Sequence, residues 1–172
     1  MKVTRTRQVA LGGVLAAGSL AVLWLACVIP SGQLGVTAAA GLFPVGAVLA
    51  AGRGAGLLCW AAASILGLLL LPDKGVALMY LLFLGLYPVA KSRLEQMKSR
   101  GMEWLGKLVY LNVALTLLWF LFRELFLPAL PEWMAAKVWV LYLAGNVIFI
   151  LYDIALSRLI GGLSARLRPK RM

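Results

Sequence analysis

The sequence has 172 residues, of which 63% are hydrophobic, and a formal net charge of +11. A water-soluble domain carries about half apolar residues, and a chain this short cannot hide the excess in one core. The positive charge does not indicate nucleic acid, because the lysines and arginines lie in short segments between apolar runs, where anionic lipid headgroups would meet them. We therefore expect an integral membrane protein whose main partner is the lipid bilayer.

Residue types that carry catalysis are scarce. The sequence has no histidine, so the commonest general base and metal ligand is missing. It contains no P-loop, zincin or GxSxG motif. Its two cysteines, Cys27 and Cys59, are expected in opposite leaflets, which argues against a disulfide between them. We therefore predict a protein that is not an enzyme and that has no catalytic residues, metal or cofactor.

Six apolar runs predict six transmembrane helices, since roughly 20 helical residues cross the ~30 Å hydrocarbon layer of a bilayer. The runs cover 8–29, 34–51, 55–71, 76–90, 108–127 and 136–160. Turn signals containing proline or glycine separate most of them. The second and third runs are short and poorly separated, so a re-entrant pair is an alternative there. No internal repeat is recognised among the six runs.

The predicted fold is an all-α bundle that forms one transmembrane domain. Its parts are a cytoplasmic start (1–7), helices 1 to 4 (8–90), an interfacial segment (91–107), helices 5 and 6 (108–160) and a basic tail (161–172). Fourteen of the 17 lysines and arginines fall on one side of this arrangement. Because short cytoplasmic loops carry an excess of these residues, both termini are predicted to lie in the cytoplasm, with the protein in the plasma membrane.

The first 27 residues allow a second interpretation. A basic start and an apolar run lead to Leu25-Ala26-Cys27, which has the outline of a lipoprotein signal peptide. The apolar run is long for such a peptide, and Trp24 is a poor residue three places before the cysteine. We therefore treat this segment as helix 1.

Small residues recur at intervals of four along helix 1. Gly13, Ala17 and Ala21 form one ridge, and Gly12 and Ala16 form a second ridge beside it. Such ridges let a neighbouring helix approach closely, and close packing is a main source of helix association in lipid. The first ridge is a candidate interface with another membrane protein, and packing within this protein is the alternative.

Polar and aromatic residues form stripes on helices 4, 5 and 6. The candidate solute-binding residues on these stripes are Tyr80, Asn112, Trp119, Arg123, Trp139, Tyr142 and Asn146. Polar groups inside the hydrocarbon layer are costly and usually face the bundle or a wet cavity. Three stripes that face one another predict an outward-open pocket with aromatic walls and an amide floor, suited to a small amphipathic or partly aromatic solute.

Each of these residues also has a structural interpretation. Asn112 and Asn146 can bond to each other across two helices, and Arg123 can pair with a neighbouring glutamate at the membrane interface. Asp153 is expected to form an ion pair with Arg158, or with Arg53 across the inner face, in preference to a proton-coupling role. The 91–107 segment is predicted to be a helix on the headgroups, with its apolar side chains in the interface.

The basic start Lys2-Val-Thr-Arg-Thr-Arg7, the Ala-x-x-x-Ala spacing of Ala17 and Ala21, and six helices with both ends inside resemble the substrate-binding S components of energy-coupling factor (ECF) transporters. The likeness covers the whole chain in layout and helix 1 in motif. It implies that Gly13, Ala17 and Ala21 contact a transmembrane coupling subunit that two cytoplasmic ABC ATPases drive. A small solute would then bind from outside among helices 4 to 6. Nickel and cobalt are poor candidates for that solute, because histidine is absent.

Two competing functions remain. A structural scaffold of a cell-envelope complex, resembling the small rod-shape membrane proteins, would pack helices 4 to 6 tightly and leave no cavity. A membrane enzyme acting on lipid or isoprenoid is a third reading, which the absence of histidine and the scarcity of acidic pairs disfavour.

Overall fold

The computed structural model describes residues 4–29, 31–97, 99–126 and 138–167, and the regular elements in these ranges are all helical. The elements are α1 (Arg5–Val28), α2 (Gln33–Ala40), α3 (Leu42–Ala51), α4 (Arg53–Leu70), α5 (Lys74–Met79), a π-helical turn (Tyr80–Leu84), α6 (Tyr87–Leu94), α7 (Arg100–Phe126) and α8 (Val138–Leu167). They fall into two compact units, unit 1 (Met1–Lys107) and unit 2 (Leu108–Met172). The all-α prediction is confirmed for this part of the chain.

Five stretches of the described residues are long and apolar enough to cross a membrane. They are Arg5–Val28, Gln33–Ala51, Arg53–Leu70, Lys74–Leu94 and Tyr142–Gly162. These stretches correspond to predicted helices 1 to 4 and 6, and they are consistent with a multi-pass membrane protein. Predicted helix 5 falls on α7, whose side chains beyond Phe120 lie outside the described part, as do the predicted 128–132 loop and the last residues of the basic tail.

Helix α1 buries one narrow face in unit 1. The residues of that face follow intervals of four and three, as a helix requires: Gly12, Ala16, Ser19, Leu23 and Ala26. At Gly12 the backbone of α4 comes so close that an added Cβ would lie 3.2 Å from both the Ala55 carbonyl oxygen and the Leu58 Cβ. The second ridge of small residues therefore serves packing within this protein.

The second membrane stretch is interrupted at Gly41, between α2 and α3. Pro44 is the physical reason, because it has no N–H to donate to the Ala40 carbonyl, one turn earlier. The Ser19 hydroxyl lies 3.0 Å from that carbonyl oxygen and can donate to it from α1. The break thus lies at a position where a neighbouring helix satisfies the freed backbone group.

The fourth stretch is a single helix in the sequence-based prediction but contains a π-helical turn between α5 and α6. The Gly85 amide donates to the Tyr80 carbonyl oxygen, five residues back, at 2.8 Å. The Trp60 indole N–H donates to the Leu81 carbonyl oxygen at 3.0 Å. A side chain from α4 therefore bonds to a carbonyl group of the irregular turn.

One end of α5 is fixed by its own turn sequence. The Asp73 carboxylate accepts from the backbone amides of Gly75 and Val76, which is the standard N-terminal cap of a helix. Its other oxygen accepts from Gln33 Nε2 at 2.7 Å, which ties the beginning of α2 to the same carboxylate. Lys74 Nζ lies 2.8 Å from the Leu71 carbonyl oxygen at the end of α4.

The charged residues at the end of α6 and the start of α7 form ion pairs, and two of them are buried. The sequence pattern instead predicts a single helix on the headgroups. The side chains of Lys91 and Lys107 are only 1% and 3% exposed. Glu95 Oε1 lies 2.9 Å from Lys91 Nζ and 3.8 Å from Lys107 Nζ, and Glu103 Oε1 lies 2.6 Å from Lys107 Nζ. The 91–107 segment is thus the end of α6, a short connection and the start of α7, held by these ion pairs.

Replacing Glu95 with glutamine should lower the free energy of unfolding by about 1–3 kcal/mol, because two buried ammonium groups then lose a shared carboxylate. Arg93→Gln is the control, since this exposed residue on the same helix should change stability by less than about 0.5 kcal/mol. Denaturant unfolding in detergent measures both values. Equal values for the two variants would mean that the Glu95 pairs add nothing.

Replacing Gly12 with leucine should destabilise unit 1 by about 2 kcal/mol, because the new side chain meets the α4 backbone. The matched control is Gly13→Leu, since nothing lies within 4 Å of a Cβ added at Gly13. Thermal unfolding in detergent compares the two leucine variants. A similar loss in both would show that the α1–α4 contact is not the cause, since leucine favours a helix more than glycine does at either position.

Candidate functional site

A ladder of polar side chains connects α7 and α8 in unit 2. Asn112 pairs with Asn146, and Thr116 pairs with Tyr142. Four residues forward on α7 correspond to four residues backward on α8, so the two helices run antiparallel at this level. Three of the seven predicted solute-binding residues, Asn112, Tyr142 and Asn146, are therefore brought together by the fold.

The two asparagines bond reciprocally. Each Nδ2 donates to the Oδ1 of the other at 3.3 Å. Each also donates to a carbonyl oxygen one turn earlier on its own helix, Asn112 to Leu108 and Asn146 to Tyr142, both at 2.8 Å. Both amide groups are therefore satisfied in this arrangement, which removes the cost of placing them in an apolar layer.

The second rung has a defined direction. The Thr116 hydroxyl donates its single hydrogen to the Asn112 carbonyl oxygen at 2.7 Å. The Tyr142 hydroxyl, 2.7 Å from Thr116 Oγ1, must then be the donor in their shared bond. Thr116 is not among the predicted solute-binding residues, but it lies four residues after Asn112 on the same face of α7, and this spacing is the sequence signal that identifies it as part of the site.

The other predicted residues of this site lie apart from the two rungs or outside the described side chains. Trp119 is half-buried on α7, and Trp139 is 65% exposed on α8. The side chain of Arg123 lies outside the described part of the structure. Their roles as walls and lip of a solute pocket stay predictions.

Tyr80 lies in unit 1, where it is completely buried among the alanine-rich helices. Its hydroxyl is 2.8 Å from Ser19 Oγ. A solute could reach this hydroxyl only by opening the core around α1. Ser19 itself was missed by the sequence-based reasoning, although Pro44 implied an unsatisfied carbonyl at Ala40 that needed a donor from elsewhere.

Asp153 is a second buried polar residue of unit 2. Its side chain is 3% exposed and it lies near the middle of the Tyr142–Gly162 stretch. Its backbone carbonyl accepts from the Ser157 hydroxyl at 2.8 Å. A buried ionisable group at this depth is costly and commonly functional, so the choice between an ion pair and proton coupling stays open for Asp153.

The predicted partner ridge of α1 faces away from unit 1. Gly13, Ala17 and Ala21 are all exposed, on the side opposite to the buried face. A Cβ added at Gly13 would have no neighbour within 4 Å. The ridge is therefore exposed in this structure, in contrast to the buried ridge of Gly12 and Ala16.

An apolar groove of about 360 Å³ runs between α1 and the α2–α3 stretch. Its lining residues are Leu15, Val22, Ala39, Leu42, Phe43 and Gly46. None of these side chains offers a hydrogen bond, so the groove suits hydrocarbon and not a polar solute.

The asparagine pair should show a measurable coupling energy. In a double-mutant cycle of Asn112→Leu, Asn146→Leu and the double variant, we expect about 0.6 to 1.7 kcal/mol, the range of interhelical hydrogen bonds in membranes. Each single variant leaves one amide unpaired, so the double variant should be less destabilised than the two singles added together. Unfolding in detergent gives the four stabilities, and strict additivity would contradict the reciprocal bond.

Comparison with known proteins adds no identification. No protein-family model matches the chain, no curated protein matches it, and no solved structure matches it. The function has to be inferred from the geometry of the two units themselves.

Proposed function

We propose that the chain is a subunit of an ATP-driven importer, similar to the S components of ECF transporters, which captures a small solute and docks on a transmembrane coupling subunit. The single observation that supports this best is the arrangement of α1. One of its small-residue ridges is buried against α4, whereas the ridge of Gly13, Ala17 and Ala21 is exposed. Packing among the described residues therefore does not account for the ridge of Gly13, Ala17 and Ala21.

The exposed ridge has the chemistry of a helix-docking surface. Small side chains let two helix backbones approach closely, which increases van der Waals contact where the hydrophobic effect is absent. Larger side chains border the ridge, including Val14 and Trp24, which are 71% and 48% exposed. A partner helix could lie on the ridge between these borders.

The proposed solute contact is the polar ladder of unit 2. Its amides and hydroxyls form neutral hydrogen bonds that the polar groups of a small solute can replace one for one. Neutral donors and acceptors favour an uncharged or zwitterionic solute over a metal ion. The importer would also require both termini in the cytoplasm, beside two ABC ATPases, and the one-sided distribution of 14 of the 17 lysines and arginines supports that topology.

A structural scaffold of a cell-envelope complex is the second candidate, and one observation favours it. The ladder between α7 and α8 satisfies its own donors and acceptors, as in Asn112–Asn146 and Thr116–Tyr142. A ladder of this kind needs no solute, because joining two helices is a sufficient role for it. The scaffold uses the same exposed face of α1, so the identity of the docked protein distinguishes the two functions.

Replacing Ala17 or Ala21 with tryptophan should reduce co-purification of the partner at least about tenfold, because the bulky ring prevents close helix approach. Ile65→Trp is the control, since Ile65 is 59% exposed on α4 and carries the same new side chain elsewhere on unit 1. The measurement is a mild-detergent pull-down from native membranes with identification of all co-purifying chains.

Recovery of a larger membrane subunit with a pair of ABC ATPases would support the importer, and recovery of cell-wall or division proteins would support the scaffold. Equal recovery with the Ala17 variant and the Ile65 variant would remove α1 from the interface in either case.

Asn146→Leu then tests the solute site, because it should weaken solute binding more than folding if the ladder binds the solute.

A further inference from the structure

A five-residue motif occurs twice in unit 1. Gly41-Leu42-Phe43-Pro44-Val45 returns 44 positions later as Gly85-Leu86-Tyr87-Pro88-Val89. In both places the order of elements is the same, namely a long helix followed by an interrupted one. Helix α1 precedes α2 and α3, and α4 precedes α5, the π turn and α6. Unit 1 therefore carries the same short motif twice, each time at an interrupted helix, which the hydropathy pattern alone conceals.

Each proline of the motif frees one carbonyl group at the interruption. Pro44 cannot donate to the Ala40 oxygen, and Pro88 cannot donate to the Leu84 oxygen. The Ala40 oxygen accepts from Ser19, and the Leu84 oxygen faces Gly41, where a Cβ would overlap it. The backbone of the first interruption therefore lies directly against the backbone of the second.

Ser19 of α1 joins both interruptions. Its Oγ lies 3.0 Å from the Ala40 carbonyl oxygen in the first copy and 2.8 Å from the Tyr80 hydroxyl in the π turn of the second. Both distances belong to a residue with no exposed surface. One hydroxyl group thus connects the two places where the helical hydrogen bonding of these stretches is broken.

The two helices that begin within the motif, α3 and α6, both pack against the same glycine of α4. A Cβ added at Gly56 of α4 would overlap the side chain of Val48 on α3, and it would lie 3.4 Å from that of Val89 on α6. Helices α3 and α6 are in contact with each other, and α2 is in contact with the π turn. The elements before the motif (α2 and the π turn) therefore contact each other, as do the elements after it (α3 and α6), and the two pairs meet at the interruptions.

We propose that the two Gly-Leu-aromatic-Pro-Val segments are a paired hinge, at which α3 and α6 tilt together relative to α2 and α5. Ser19 is the pin that holds the arrangement described here. Bending at this level breaks few helical bonds, because the two prolines have already removed them, whereas a regular helix resists bending along its whole ladder. The hinge does not depend on the importer or on the scaffold function.

Hydrogen exchange followed by mass spectrometry tests the pairing in the full-length protein. The two peptides to follow are 38–46 and 82–90. Pro44→Ala restores a backbone donor to the Ala40 carbonyl and should slow exchange in its own peptide by about tenfold. If the hinges are paired, the same variant should slow exchange in 82–90 by at least about threefold, and Pro88→Ala should do the same to 38–46.

Pro72→Ala is the matched control, because Pro72 lies exposed in the connection between α4 and α5. It should leave exchange in both peptides unchanged. A purely local effect of each motif proline, with no change in the other peptide, would overturn the paired hinge. So would unchanged exchange in both peptides.

Ser19→Ala gives an independent test in the opposite direction. Loss of the hydroxyl should speed exchange in both peptides, because the Ala40 carbonyl and the Tyr80 hydroxyl lose their common partner. The control is Ser92→Ala, whose hydroxyl bonds to the Val89 carbonyl of its own helix at 2.7 Å. Faster exchange in only one peptide, or equal behaviour of the two serine variants, would show that Ser19 is not the pin.

Discussion

In lipid, every backbone polar group needs a hydrogen-bond partner inside the protein. In unit 1, the Ser19 hydroxyl is the partner of the Ala40 carbonyl group, which Pro44 leaves without a helical donor. Without it, Pro44 would leave a bare carbonyl group in the core. With it, the stretch can break at Gly41 and still cross the unit. The same contact ties α1 to the break, because the Ser19 hydroxyl reaches the backbone at the end of α2 directly.

The two units solve the problem of helix association in different ways. Unit 1 relies on alanine and glycine, whose small side chains bring α1, α3 and α4 into close contact around an alanine-rich core. Unit 2 joins α7 to α8 through amide and hydroxyl bonds between larger polar residues. Van der Waals packing over small residues tolerates few insertions of volume, whereas hydrogen bonds between side chains can be exchanged for bonds to a ligand. This difference supports the proposed docking surface on α1 and the proposed solute contact on the ladder.

Much of this architecture follows from local patterns, and the exceptions have physical causes. Apolar run length and turn residues predict the helices, four-residue spacing predicts both ridges of α1, and the pairing of Asn112 with Asn146 was one of two alternatives for those residues. Tyr80 is buried in the alanine-rich core of unit 1, whereas Asn112 and Asn146 lie in unit 2. Periodicity gives the polar face of each helix, but it cannot show which helices pack against that face.

The charges between α6 and α7 escaped prediction for a related reason, because hydropathy treats each lysine as a separate surface group. The repeated motif was hidden because it is short, while the flanking residues of its two copies differ in size and charge. Which charges pair, and which segments lie side by side, depends on the folded chain. A hydropathy profile, which averages over neighbouring residues, does not contain this information.

Ion pairing also changes the charge that these lysines present to their surroundings before and after folding. Before the helical turns at the end of α6 and the start of α7 form, Lys91 and Lys107 are separate cations without these partners, of the kind that orients membrane helices during insertion. Once Glu95 and Glu103 neutralise them, they present almost no charge to the surrounding lipid. Folding therefore makes this part of the surface less basic than the amino-acid composition suggests.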